Sequence, residues 1–371
     1  MSSPRKTLLA VAVAVATACR SAPPLPPPKA APSTAAALRG AVDVEARRRA
    51  VGRPLPAPAP PPPIDPIRDV TGVSFYVDAE HSVADPALKA DNAAALKPLR
   101  RFVAGVVDLA DGWMVSRPAD PRYAALAVDR LAAWAAADAL CGTVNHQGEF
   151  EREWTLGSLA LAYSKVRGAP GLDPAKVRAV DAWLARIAAA VQPFYERPKL
   201  VSNSNNHAYW AGLAVAATGA AVGDRALFDW GLDRARVGLR QVSADGFLPL
   251  ELDRRALALH YHVFALAPLV MLAELAAANG VALYDEASGA LPRLANRVIE
   301  GLADPAPFAA AAGLPQEIAL PPRRADLAWA EAYFARFHDR RLAAWLAAAR
   351  PLRDDRLGGD TTAAFGAPLT L

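Results

Sequence analysis

LDRRALALHYHVFALAPLVMLAELAAA, residues 252–278, reads as one long helix from Leu252 to Ala278, stopped by Asn279 and Gly280. Its composition is apolar except at the amino end, where Arg254, Arg255, His260, Tyr261 and His262 follow Glu251. A helix that can bury Ala and Leu gains nothing from such groups unless they meet one another or a polar ligand. Uncompensated burial costs on the order of a few kcal/mol apiece. A second cluster, Asn203, Asn205, Asn206, His207, Tyr209 and Trp210, stands at the start of another apolar helix. Together the two clusters suggest a site for a carboxylate-bearing substrate.

Outward from these clusters the chain continues in helices. Several starts pair an acid at the cap with proline in the first turn: Asp85 with Pro86, Asp120 with Pro121, Asp173 with Pro174. Helices are expected over 176–191, 205–217 and 226–242, with shorter pieces near 291–302, 326–337 and 342–349. Tyr123, Leu126, Leu131 and Trp134 mark one apolar stripe, and Trp154, Leu156, Leu159, Leu161 and Tyr163 populate the next helix. Strand alternation is almost absent, so the chain is read as all-α, one large domain of paired antiparallel helices around a cleft. Periodicity alone does not separate a toroid from a solenoid or a bundle.

The 371 residues, 53% hydrophobic, suffice for a large core, and a net charge of +4 would tolerate an anionic polymer. No interleaving of basic and aromatic residues suggests nucleic acid. Arg5 and Lys6 precede an apolar run from Leu8 to Ala18, too short to span a bilayer as a mature helix, so residues 1–20 are expected to be a secretory signal. Cys19 follows Ala16, Thr17 and Ala18 in a degenerate lipoprotein box and is a candidate for lipidation. A lipid at that position would be the only membrane attachment. Residues 21–68 are crowded with proline and alanine and are expected to form an extended tether, leaving a domain over 69–371. Cys141, the other cysteine, is expected to be a buried apolar filler.

On a continuous helix Arg254 and Tyr261, seven residues apart, share one face, and Glu251 can brace the arginine. His260 and His262 diverge by roughly 200° on the same helix, and no suitably spaced third ligand accompanies them, so neither a metal nor another cofactor is expected. Asn203 and Asn205 are read as caps. An arginine and an amide can neutralise a carboxylate and acidify the adjacent carbon, after which a tyrosine or histidine removes its proton. This is β-elimination on a uronic acid polymer. Glycoside hydrolysis would need two facing carboxylates, and only Glu251 offers itself.

The segments NHQGEFEREWTLGSLALAY, NNHAYWAGLAVAATG, DGFLPLELDRRALALHYHVFALAPL, ANGVALYDEASGALPRLANRVIEGL and RLGGD, in this order over residues 100–365, resemble the poly(mannuronate) alginate lyases of polysaccharide lyase family five. The resemblance implies an incomplete α/α toroid with a deep cleft, a periplasmic or secreted protein, no metal, and endolytic cleavage of mannuronate-rich alginate. It implies Tyr261 as catalytic acid and base, with Arg254 and Asn206 neutralising the substrate carboxylate and His207 sharing that role or acting as base. It places His260 and Arg356 on the cleft wall with Trp210 packed beside it, and Glu251 is counted with these substrate-binding residues. A monomer is expected.

One departure stands out. Family members carry a lid with a lysine and a tyrosine near the amino end, and the corresponding stretch 73–87 aligns poorly, offering Tyr76 and His81 instead. Lyase action on another polyuronate such as glucuronan, and a tethered polysaccharide-binding or biosynthesis-complex protein with little turnover, are the competing readings.

Overall fold

The structure is a computed structural model that describes residues 37–369. The expected signal segment, Cys19 and the first part of the proline-rich stretch lie outside the described residues.

Four helix pairs build the body: α3 (Lys97–Val115) with α4 (Pro121–Ala136), α5 (His146–Val166) with α6 (Pro174–Tyr195), α7 (Asn206–Val222) with α8 (Arg225–Gln241), and α10 (Ala258–Ala277) with α11 (Glu286–Ala303). The first helix of each pair touches the first helix of the next, α3 to α5 to α7 to α10, and forms the inner row. The second helices stand outside. This is the expected all-α, incomplete α/α toroid.

Sequence chemistry explains the two rows. Helices α5, α7 and α10 bury nearly every face, so their apolar residues show no stripe, whereas α4, α8 and α11 carry an apolar stripe toward the core and a charged face outward. Helix α10 is long and apolar enough to cross a membrane by length and composition. Its apolarity answers to its surroundings, because α7, α8, α11 and α13 (Ala330–Phe337) all pack against it. Between α7 and α8 the backbones approach closely at Gly212 and Gly231; a Cβ on Gly231 would lie 2.3 Å from the Gly212 carbonyl oxygen. The acid caps form as expected, with Asp85, Asp120 and Asp173 accepting from first-turn amides.

The ring is filled between α3 and α10 by the carboxyl-terminal segment. A two-residue hairpin, β1 (Arg353–Asp354) with β2 (Gly359–Asp360), encloses a 3-10 turn at Asp355–Leu357 that touches α3, α5 and α10. It is clasped from beneath: Lys165 Nζ donates to Asp111 Oδ1 and to the Gly358 carbonyl, both at 2.6 Å, and Asp111 Oδ2 accepts from the Asp360 amide at 2.8 Å.

The boundary expected at residue 68 moves. The compact body begins at Ala37, and residues 37–68 are packed against it rather than free. Helix α1 (Val44–Val51) docks on α3, with the Arg48 guanidinium 4.1 Å from the centre of the Trp113 ring. Beyond it a proline strap runs along α4. Proline lacks an N–H but keeps its carbonyl, and the strap uses those carbonyls: Tyr123 Oη donates to Pro56 and Arg130 Nη1 to Pro61 and Pro62, while Trp134 Nε1 donates to Ile64. Composition suggested a tether because these partners lie some seventy residues further on. Cys141 also departs from expectation. It packs at the edge of the core but is only half-buried, beside Asp138.

Candidate active site

The strap leads directly into the lid. Asn145 Oδ1 accepts from the Gly72 amide and Asn92 Oδ1 from the Val73 amide, fixing its root. The stretch 73–87 then turns back on itself, pairing Tyr76 with Ala84, while Asp78 accepts from the Ser82 and Val83 amides in the bend. The lid hangs over a cavity of about 1240 Å³. Its walls include Phe150 and Trp154 of α5, the α7 cap Asn205 with His207 and Trp210 of α7, Arg254, His260, Tyr261 and Phe264 near the start of α10, and Arg356 of the carboxyl-terminal turn.

Arg254 and Tyr261 meet, but by a different route from the expected one. Arg254 and Tyr261 do not share one continuous helix. The chain makes a short helix α9 (Pro249–Leu252) and a 3-10 turn at Arg255–Leu257, and α10 begins only at Ala258. Arg255 has φ +52°; its carbonyl accepts from Gln316 Nε2 as well as from the Ala258 amide, and the Ala256 carbonyl accepts from the Glu317 amide. Arg254 folds back from this turn, its guanidinium 4.1 Å from the centre of the Tyr261 ring, and Nη1 donates to the His81 carbonyl of the lid at 3.2 Å.

Glu251 is corrected. It is fully buried and absent from the cavity wall, and stands 4.0 Å from Arg254 Nε. Its carboxylate instead accepts from the Asn206 amide at 2.7 Å and from Asn206 Nδ2 at 3.1 and 3.0 Å. It binds α7 to the turn before α10. Asn206 is likewise sealed behind the wall, with Oδ1 unpartnered. Asn205 caps α7 by accepting from the His207 amide, whereas Asn203 is no cap and donates to the Arg197 carbonyl.

His207 reaches the cleft. Its ring lies flat on Phe150 with centres 3.6 Å apart, and Nδ1 is 3.3 Å from Glu153 Oε1. Burial, then Arg254, His146 and His81, hold it well below the usual imidazole range, so it is neutral. His260 faces the cleft and stacks on Phe264, and burial lowers it as well. His262, rotated away on the same helix, accepts from the Leu248 amide at Nε2 and shares Nδ1 with the Ala258 carbonyl, so both nitrogens are spent in the core. Trp210 is almost fully buried against Phe264. The Arg356 guanidinium lies 5.0 Å from the centre of Trp154 and 5.7 Å from that of Phe264, facing the cavity as a cation.

Tyr261 is the phenol on which these groups converge. Burial, followed by the Tyr76 hydroxyl 2.5 Å away, pushes it above the usual tyrosine value, while Arg254 opposes the shift. Chemically the set can bind a carboxylate, spread the charge that develops beside it, and move a proton at one phenol oxygen. Phe150, His146 and Glu153 lie in the quoted NHQGEFEREW block, but no local pattern marked them individually; their part is set by His207, more than fifty residues later.

The open groove of this helical toroid collects a phenol, a guanidinium and a neutral imidazole, a set suited to removing a proton beside a neutralised carboxylate. The family described as alginate lyase matches residues 69–308. A polysaccharide lyase of Stenotrophomonas maltophilia is 40% identical over 298 residues, spanning 79% of this chain and 87% of that protein. An alginate lyase of Azotobacter chroococcum is 37% identical over 279 residues, spanning 73% and 74%. Among solved structures, alginate lyase A1-III in a histidine-to-alanine variant complexed with a tetrasaccharide superposes with TM-score 0.80 at 28% identity, covering 89% of this chain and 95% of that one. The chain belongs to the alginate lyase family.

Proposed function

We propose that the protein cleaves mannuronate-rich alginate by β-elimination. The observation that carries this reading is the Arg254 guanidinium over the Tyr261 ring in a cleft that His207 also lines. Arg254 and His207 would neutralise the uronate carboxylate, while Asn206 stays bound to Glu251 behind the wall. The Tyr261 phenolate takes the C5 proton. The C5–H electron pair becomes the C4–C5 double bond as the bond from C4 to the glycosidic oxygen breaks, and that oxygen receives the proton from Tyr261. Abstraction and return by one phenol make a syn elimination.

The relatives that are alginate lyases, and the solved tetrasaccharide complex, support an anionic polysaccharide as substrate. The amino-terminal sequence supports export to the periplasm or beyond, with Cys19 acylated as an outer-membrane anchor. The test is ultraviolet absorbance of unsaturated ends on mannuronate-rich, guluronate-rich and glucuronan polymers. The fastest rise is expected on the first. A faster rise on glucuronan would transfer the reading to that polymer, and retention on an alginate column with no rise anywhere would make the protein a binder.

A further inference from the structure

Glu153 lies in α5 behind the His207 ring, fully buried and outside the cavity wall. Its Oε1 stands 3.3 Å from His207 Nδ1, and Oε2 has no partner. Its neighbours on the helix are compensated, Glu149 by Arg152 at 2.5 Å and Glu151 by Arg100 at 3.2 Å. Glu153 has no Lys or Arg among the described residues. An ionised carboxylate left without a cation in a dry interior costs several kcal/mol, so the group is held as the neutral acid. Burial pushes it well above the usual carboxylate range; the Tyr195 hydroxyl on α6 opposes this, and the charges of Glu149 and Glu151 add to it.

We propose that Glu153 is a positioning residue for the elimination: its carboxylic acid donates to Nδ1 of His207 and holds the imidazole as the tautomer that presents an Nε2–H donor to the cleft. One nitrogen of a neutral imidazole donates and the other accepts, so a donor placed at Nδ1 decides the proton's place. The ring cannot turn away, being packed flat on Phe150 with Trp154 5.7 Å beyond. The other groups facing it, Arg254, His146 and His81, disfavour a second proton on it. The inference rests on the lyase reading and deepens it: His207 becomes a hydrogen-bond donor to the substrate carboxylate, and Tyr261 alone takes the C5 proton.

The test combines nitrogen NMR of histidine-labelled protein, with His207 assigned through His207→Ala, and kinetics of Glu153→Gln and Glu153→Leu. Wild type should show the Nε2–H tautomer at neutral pH. Glu153→Gln, whose amide also donates, should keep that tautomer and a rate within about threefold of wild type. Glu153→Leu, checked for folding by its thermal melt, should lose the single tautomer and lower kcat by roughly 10- to 100-fold with a smaller change in KM, less than the loss of a direct proton-transfer group. An Nδ1–H tautomer in wild type overturns the proposal. So does Glu153→Gln as impaired as the leucine variant, or a leucine variant with tautomer and rate unchanged. The NMR reads the protein without substrate, so a failure to cleave any polyuronate would sink the lyase reading while leaving this one to be judged.

Discussion

The phenolic oxygens of Tyr76 in the lid and Tyr261 in the cleft lie 2.5 Å apart. The group proposed to move the substrate proton is therefore already hydrogen-bonded to the lid, and substrate must replace that bond with its own. Because one bond is exchanged for another, Tyr76→Phe is expected to change kcat/KM by less than about tenfold, whereas Tyr261→Phe should lower it by about 10²-fold or more. Steady-state absorbance assays of both variants decide this. Equal losses would mean that the lid phenol takes part in the chemistry.

Arg254 sits on the ring of Tyr261 and favours its phenolate against burial and Tyr76. Removing the cation raises the phenol further, so the base form is reached at higher pH. Arg254→Met should shift the rising limb of the kcat/KM profile to higher pH. It should also lower the plateau by roughly 10²- to 10³-fold, through lost stabilisation of the carboxylate. A profile that keeps its midpoint would show that Arg254 does not tune Tyr261.

His262 gives a stability prediction with a definite sign. Burial holds it at about 4, below its ordinary 6.5, and the backbone bond to Ala258 only partly opposes that. The unfolded chain therefore binds more protons between those values, and stability rises with pH through the window. The contribution is complete above pH 6.5 and is lost as pH falls toward 4, a span on the order of 3 kcal/mol. Denaturant titrations from pH 7 to 4 should show a steeper loss for wild type than for His262→Gln, which cannot take up the proton.

The Lys165 and Asp111 pair holds the turn that carries Arg356. Both side chains are buried, so Lys165→Met leaves the Asp111 carboxylate with only the more distant Arg353 guanidinium, 3.8 Å from Oδ2, and should cost about 3 kcal/mol. Adding Asp111→Leu should recover part of that loss in urea denaturation. If the double substitution is as damaging as the two singles summed, the pair is not coupled.

What could be read from the chain followed the range of the interactions involved. The caps at Asp85, Asp120 and Asp173 were legible because cap and helix lie within three residues of each other. The meeting of Arg254 with Tyr261 was expected, but for a wrong reason. The apolar run hid the break before Ala258, since the groups that capture the Arg255 and Ala256 carbonyls, Gln316 and Glu317, lie some sixty residues away. Glu251 was assigned to a neighbour three residues on, while its main partner Asn206 is 45 residues back. Periodicity does not bring His207 and Tyr261 into one groove; the polar character of the two clusters suggests it, and the ordered family blocks imply it.

The proline strap carries a practical corollary. A shortened protein starting where the family match starts, at residue 69, would strip a backbone seam from the outer flank of α4. That would uncover aromatic surface around Trp134 and cut the lid's root loose from its upstream anchorage. Preparations meant to retain native solubility and native turnover should begin no later than Ala37.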